Sequence, residues 1–311
     1  MTPYLSIVIP VYNEEPNIQR LFERLYPVMQ GIGKPFEIIF TDDGSRDRSL
    51  ELLTELAAAY PEVRVVEFNG NFGQHMAIMA AFEISRGEIV ITLDADLQNP
   101  PEEIPKLISA MERGHDVVGS IRQNRQDSFF RKSASQLVNV TTRKMTGMKM
   151  SDYGCMLRAY HRNVVDNINR CGEHTTFIPA LAQTFAANPG EVEVAHAERL
   201  EGESKYSFYS LIRLNFDLMT GFSVVPLQLF ALMGILTSLF AVAFAIFLLV
   251  RRFIVGSEVE GVFTLFAILF FFLGITIFGI GIVGEYVGRI YQEVRRRPRY
   301  VVRRLHGGDN A

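Results

Sequence analysis

At 311 residues the chain has room for one large or two medium domains, and its 48% hydrophobic content, with 24 Phe, exceeds what a soluble enzyme of this size needs. A net charge of −3 provides no basic surplus for nucleic acid, so no nucleic-acid partner is expected. Cys155 and Cys171 lack metal-ligand spacing and are expected to stay reduced thiols.

No signal peptide is predicted, because residues 1–12 form a short strand-like run broken by Pro3 and Pro10. LSIVIPV (5–11) predicts a buried strand, and Tyr12-Asn13-Glu14-Glu15 a turn in which Asn13 caps a helix over 17–29. FEIIFT (36–41) is a second strand ending in DDGS (42–45), and a helix follows to about residue 60. A third strand at 63–68, a Gly-rich turn at 69–73, a helix at 75–85 and a fourth strand at 88–93 complete the series. Repeated β-α units with short links predict a doubly wound, Rossmann-like, mostly parallel α/β sheet whose ligand loops gather along one edge.

The fourth strand runs into LDADLQNPP, which sets Asp94 and Asp96 at its carboxyl end. Two carboxylates that close repel unless a cation lies between them, and open oxygen ligands suit Mg²⁺ or Mn²⁺ bridging a diphosphate. A bare D-x-D is also an ordinary polar strand exit. Asp42 could accept hydrogen bonds from a base or ribose, or could close an Asx-turn before Gly44. Gln74 and His75 are equally ligands or helix starters. Neither G-x-x-x-x-G-K-[ST] nor G-x-G-x-x-G follows the first strand, which disfavours a P-loop NTPase or dinucleotide dehydrogenase. Together PVYNE, DDGS and DADLQ make one acidic, metal-competent nucleotide crevice.

The C-terminal third differs in character. Residues 227–250 and 262–283 carry no charge, and each exceeds the roughly 20 residues that span a bilayer core. The reading is a catalytic domain over 1–205, an amphipathic interface segment over 206–226, two membrane helices at 227–250 and 262–283 joined by a periplasmic loop at 251–261, and a basic cytoplasmic tail at 284–311. Seven Arg against two Glu over 285–306 place that tail inside, with the catalytic domain. Gly274, Gly279, Gly281 and Gly284 permit close helix packing and hence a homo-oligomer, a tetramer being one compatible size.

The chain resembles the family 2 glycosyltransferases of GT-A fold, in particular the polyprenyl-phosphate subgroup. The residues that carry the likeness are VIPVYNE (8–14), DDGS (42–45), NFGQH (71–75), LDADLQNPPEEIP (93–105), SIRQNRQDSFFRK (120–132), DYGCMLRAY (152–160), ERLEGESKYSF (198–208) and GEYVGRIYQEVRRRPRY (284–300). The resemblance implies inverting transfer from a UDP-sugar to undecaprenyl phosphate at the cytoplasmic face of a bacterial inner membrane. SIRQNRQDS with DYGCMLRAY implies a 4-deoxy-4-formamido-L-arabinose donor, and with it lipid A modification and polymyxin resistance. It implies that Pro10, Tyr12, Glu14 and Asp42 hold uracil and ribose, and that Asp94, Asp96 and Gln98 bind the diphosphate and a Mg²⁺ or Mn²⁺ ion. Asp152 matches the family's candidate base, although it could instead orient Arg158. Arg122, Arg125, Arg131, Arg199 and Lys205 are cations where a lipid phosphate would enter, and guanidinium groups clamp phosphate bidentately.

A glucosyl or other hexosyl donor would preserve every motif except sugar-site side chains, for which Tyr153, His174, Thr175 and Thr176 are candidates. Processive polysaccharide synthases share the edge loops but use a Q-x-x-R-W motif, and this chain has no Trp. A non-catalytic membrane scaffold would be expected to lose a D-x-D aspartate or the basic loop, and both are intact.

Overall fold

A computed structural model describes residues 2–122, 155–171, 177–195, 225–255, 262–295 and 297–308. The chain divides into two compact units, one of residues 1–139, 148–205 and 297–311 and the other of 140–147 and 206–296.

The first unit is built on β1 (Leu5–Val11), β2 (Phe36–Asp42), β3 (Val63–Phe68), β4 (Ile89–Thr92), β5 (Val117–Arg122), β6 (Arg158–His161), β7 (Pro189–Val194) and β8 (Val302–His306). They form one sheet in the order β7-β5-β6-β4-β1-β2-β3-β8. The centre, β3-β2-β1-β4, is parallel as the β-α repeat predicts. The flanks are mixed: β6 runs antiparallel to β4 and β5, β7 parallel to β5, and β8 antiparallel to β3. Ile7, Val8, Ile9, Ile38, Ile39, Phe40, Val90 and Ile91 are buried whichever face they take, which explains why these strands read as unbroken apolar runs rather than alternating ones.

Helices α1 (Glu15–Ile32), α2 (Ser49–Ala59), α3 (Gln74–Ile84), α4 (Ile104–Glu112), α5 (Arg162–Arg170) and α6 (Ile178–Phe185) accompany this sheet. On α1 the buried stripe is Ile18, Leu21, Phe22, Leu25 and Met29, at helical spacing, each contributing about 1.5–3 kcal/mol by burial. Pro16 lies in its first turn, and Gly33, with φ 69°, ends it by donating its N–H to the Gln30 carbonyl. Asn13 is not its cap, contrary to the sequence expectation: Glu14 holds that position without a side-chain cap bond. Asn13 instead adopts φ 56°, and its amide oxygen accepts from Arg46 N–H. The loop after β2 has captured the side chain that would have capped the helix.

The amino edge of the sheet is closed by polar bonds. Ser6 Oγ donates to Glu37 Oε1 at 2.6 Å, Arg64 pairs with Glu37 Oε2 at 3.0 Å, and Arg162 Nε donates to the Gly87 carbonyl at 2.9 Å. Gly87 is needed there because a Cβ would lie 2.6 Å from Ser6 N. Gly87→Ala is therefore expected to lower stability by about 1–3 kcal/mol through overpacking, with UDP affinity unchanged; thermal unfolding and a nucleotide titration of the same sample check this.

The second unit contains α7 (Val225–Val255) and α8 (Val262–Val294). Both expected apolar segments are helical, and α8 continues past the expected limit of residue 283. Among the described residues one stretch, Ile268–Tyr291, is long and apolar enough to cross a membrane, with mean hydropathy 2.2 and only 6% of it buried. Leu227–Phe240 is a shorter apolar stretch of α7. Of the four glycines expected to promote packing, Gly279 faces the Phe230 ring of α7, where a Cβ would collide, while Gly274, Gly281 and Gly284 border open space. The segment read as an interface helix lies outside the described residues up to residue 224. The tail read only as basic supplies β8, a strand the sequence reading did not anticipate.

Candidate active site

The loops after β1, β2, β3 and β4 collect at the carboxyl edge, where open α/β sheets bind ligands. Side chains knit the first two loops together: Asn13 N–H donates to Ser45 Oγ at 3.0 Å, and Glu14 N–H to Ser49 Oγ at 2.9 Å. Pro10 is partly exposed in β1, Tyr12 is 38% exposed, and Glu14 follows the left-handed Asn13.

The two aspartates of DDGS do different things. Asp42 is buried; its Oδ2 accepts from Ser45 N–H at 3.2 Å, so the Asx-type turn is formed. Its Oδ1 is also buried and finds no hydrogen-bond partner among the described residues, as does Thr41 Oγ1. Burial raises the Asp42 carboxyl above its ordinary range, opposed by its bonds to the Ser45 and Gly44 turn. Asp43 accepts from the N–H groups of Phe72 and Gly73 at 2.6 and 2.9 Å and so ties down the loop after β3. Gly44, at φ 72°, lies against the Gly70 backbone, where a Cβ would come within 2.6 Å. That loop fixes the start of α3, and Gln74 Nε2 donates to Asp94 Oδ1 at 2.7 Å.

Asp94 is the most perturbed carboxyl of the edge. Burial, then the neighbouring Asp96 and Glu14 carboxylates, push it up to about 7, against the opposing pull of Arg122 and Gln74. Asp96 Oδ1 accepts from Gln98 N–H at 3.1 Å, closing a turn around Leu97, which is buried at φ 60°. A branched residue held in the left-handed region marks a loop whose shape is dictated by its surroundings. His75 Nδ1 is buried without a partner among the described residues; burial and the Arg158 guanidinium hold the imidazole down at about 4, so it is neutral, and it meets Phe177 edge-on at 5.3 Å.

The structure thus brings together Glu14, Asp42, Asp94, Asp96, Gln98 and, from β5, Arg122. Asp152, Arg125, Arg131, Arg199 and Lys205 lie outside the described residues, as do Tyr153, His174, Thr175 and Thr176. Sequence reasoning did not separate Gln74 from a plain helix starter or see that Asp43 is a loop anchor. NFGQ following a strand was the only local signal for either. No cluster of three or more His, Cys, Asp or Glu in metal-holding geometry occurs among the described residues. Asp94 and Asp96 with the Gln98 oxygen still fit a hard divalent cation that takes its other ligands from a diphosphate, and the mutual repulsion that raises Asp94 is what such a cation would relieve.

Comparisons with known proteins agree with this edge. The model of "Glycosyl transferase family 2" matches residues 6–168. The undecaprenyl-phosphate 4-deoxy-4-formamido-L-arabinose transferase of Pectobacterium atrosepticum is 54% identical over 304 residues, covering 96% of this chain and 93% of that protein. The protein of the same name from Aeromonas hydrophila is 50% identical, covering 97% and 93%. Among solved structures, glucosyl-3-phosphoglycerate synthase from Mycobacterium tuberculosis, in complex with Mn²⁺, uridine diphosphate and glucosyl-3-phosphoglycerate, superposes with a TM-score of 0.52 at 17% identity, covering 70% of this chain and 78% of that one. Its likeness bears on the fold, which is GT-A-like with a mixed sheet. On the match over more than half its length and on relatives this similar along nearly all of it, the chain belongs to glycosyltransferase family 2.

Proposed function

We propose that this chain transfers 4-deoxy-4-formamido-L-arabinose, with inversion, from its UDP-sugar to undecaprenyl phosphate at the cytoplasmic face of a bacterial inner membrane, as a step of lipid A modification. The observation that carries the reading is 54% identity along 96% of the chain to a transferase of that name, with the D-x-D edge intact.

Pro10, Tyr12, Glu14 and Asp42 hold the nucleoside, Asp42 through Oδ1, a buried acceptor without a partner among the described residues. Asp94, Asp96 and Gln98 would hold a Mg²⁺ or Mn²⁺ ion, whose charge would offset the negative charge that grows on the departing UDP. Gln74 orients Asp94. Arg122, near enough to Asp94 to counter its raised proton affinity, faces the same edge and serves the acceptor phosphate. A phosphate monoester is already anionic and nucleophilic at neutral pH, so positioning and charge neutralisation replace most of the work of a strong base. Its oxygen attacks the anomeric carbon in line as the bond to UDP breaks, which inverts the centre. Asp152, Arg125, Arg131, Arg199 and Lys205 keep the base or orienting role and the acceptor-phosphate roles that the resemblance implies.

Both α7 and α8 cross the membrane in this reading. The pairing of β8 with β3 in the sheet of β1–β7 supports this reading, since a chain that leaves and rejoins one sheet makes an even number of crossings, and α7 is the second apolar helix available among the described residues. Self-association remains part of the proposal.

The experiment is transfer by the purified full chain from a panel of UDP-sugars to undecaprenyl phosphate, with Mg²⁺, Mn²⁺ or chelator. The formamido-arabinose donor is expected to be used selectively and only with metal. Preference for UDP-glucose would discard the sugar assignment, undiminished turnover in chelator the metal, and no transfer at all the enzymatic reading.

A further inference from the structure

The C-terminal strand begins close to the nucleotide edge, where Val302 pairs with Phe68 at the carboxyl end of β3, and its side chains engage β3 from there inward. Glu67 on β3 is the register partner of Asp42 on β2, and side chains at paired positions of neighbouring strands share a face of the sheet. The Glu67 side chain is 8% exposed and is compensated from β8: His306 Nε2 lies 2.9 Å from its Oε2 and Arg303 Nη1 3.2 Å from its Oε1. The same tail backs the loop that positions α3. The Tyr300 ring stacks on Phe68 at 5.0 Å and 15°, Phe68 meets Phe72 edge-on at 5.6 Å, and Asn69 N–H donates to the Val301 carbonyl at 3.1 Å. Phe72 is the residue whose N–H is held by Asp43, two positions before Gln74.

We propose that β8 is a positioning element of the nucleotide crevice, in which the Arg303 ion pair and the His306 contact hold and compensate Glu67 and thereby keep Asp42 able to accept hydrogen bonds from the donor nucleoside. The inference rests on the role given to Asp42 above. An uncompensated carboxylate at Glu67 would favour a protonated Asp42, which would lose acceptor capacity. Burial already raises the Asp42 carboxyl, and Glu67 adds to that rise. A buried acid that loses its partners is costly, and here the cost would fall on the neighbouring acid.

The test is calorimetric titration of UDP, with Mn²⁺, into full-length protein in detergent. Arg303→Ala with His306→Ala is expected to raise the Kd for UDP about tenfold, and His306→Gln alone to raise it by a smaller factor. Adding Glu67→Gln to the double variant removes the stranded charge and is expected to restore most of the affinity. A strand that mattered only for packing would not be rescued in this way. UDP binding unchanged in the double variant, or weakened but not restored by Glu67→Gln, overturns the proposal. Asp42→Asn distinguishes the two readings. If it weakens UDP binding while the Arg303 and His306 changes do not, the β8 proposal alone fails. If it leaves UDP binding unchanged, the assignment of Asp42 fails and takes the route through Glu67 with it.

Discussion

Asp96→Ala is expected to lower glycosyl transfer by about a thousandfold, the scale on which loss of one preorganised electrostatic contact to a leaving group is felt. Asp96 lies beyond the end of β4, and its Oδ1 closes the turn through Gln98 N–H, so the substitution removes both a charge and a fold of the loop. Asp96→Asn separates the two contributions. The amide oxygen can still accept from Gln98 N–H, so the turn survives while the charge is lost. The two variants are expected to be similarly slow, with kcat falling and the KM for lipid little changed. Near-normal turnover by Asp96→Asn would mean that the turn, not the charge, is what the reaction needs.

The second expectation concerns pH. Asp94 is pushed up to about 7 from an ordinary value of 3.8, by burial first and by Asp96 and Glu14 next. A proton held more tightly in the folded than in the unfolded chain contributes stability that is fully present below pH ~4 and is lost as pH rises through about 7. A divalent cation can replace that proton. Thermal unfolding with UDP present should therefore show a larger rise in Tm on adding Mn²⁺ at pH 8 than at pH 6, on the order of 2–4 °C for each kcal/mol gained. Asp94→Asn should flatten both the pH trend and the metal increment. An increment equal at both pH values, or unchanged in Asp94→Asn, would remove Asp94 from the metal set.

The central sheet was legible because residues 7–11, 38–40 and 89–91 are apolar without alternation, and such runs have few homes outside a doubly covered parallel sheet. The acids at the strand ends were legible as a set for the same reason, since strand direction decides which loops meet. What escaped was decided by tertiary partners. Nothing local separates Asp42 from Asp43, yet one has an oxygen without a partner among the described residues and the other grips two backbone N–H groups of a loop about thirty residues away. Asn13 has an ideal cap residue's chemistry and was diverted by Arg46 N–H. β8 is five residues long, polar at three of them, and pairs with a strand more than two hundred residues earlier, so its periodicity carried little signal. The apolar helices were visible from composition alone, because absence of charge over such lengths needs no partner to be read.

The order of synthesis gives β8 a further meaning. Residues 302–306 leave the ribosome after both long apolar helices, so throughout translation the outer side of β3 presents unpaired N–H and C=O groups. Such an open edge is a template for wrong pairing until its own strand arrives. A chain stalled or clipped before residue 300 would carry nearly all of the crevice yet retain that exposed edge. Completion of the sheet therefore waits until both long apolar helices have been made, because the strand that closes the β3 edge follows them in the chain.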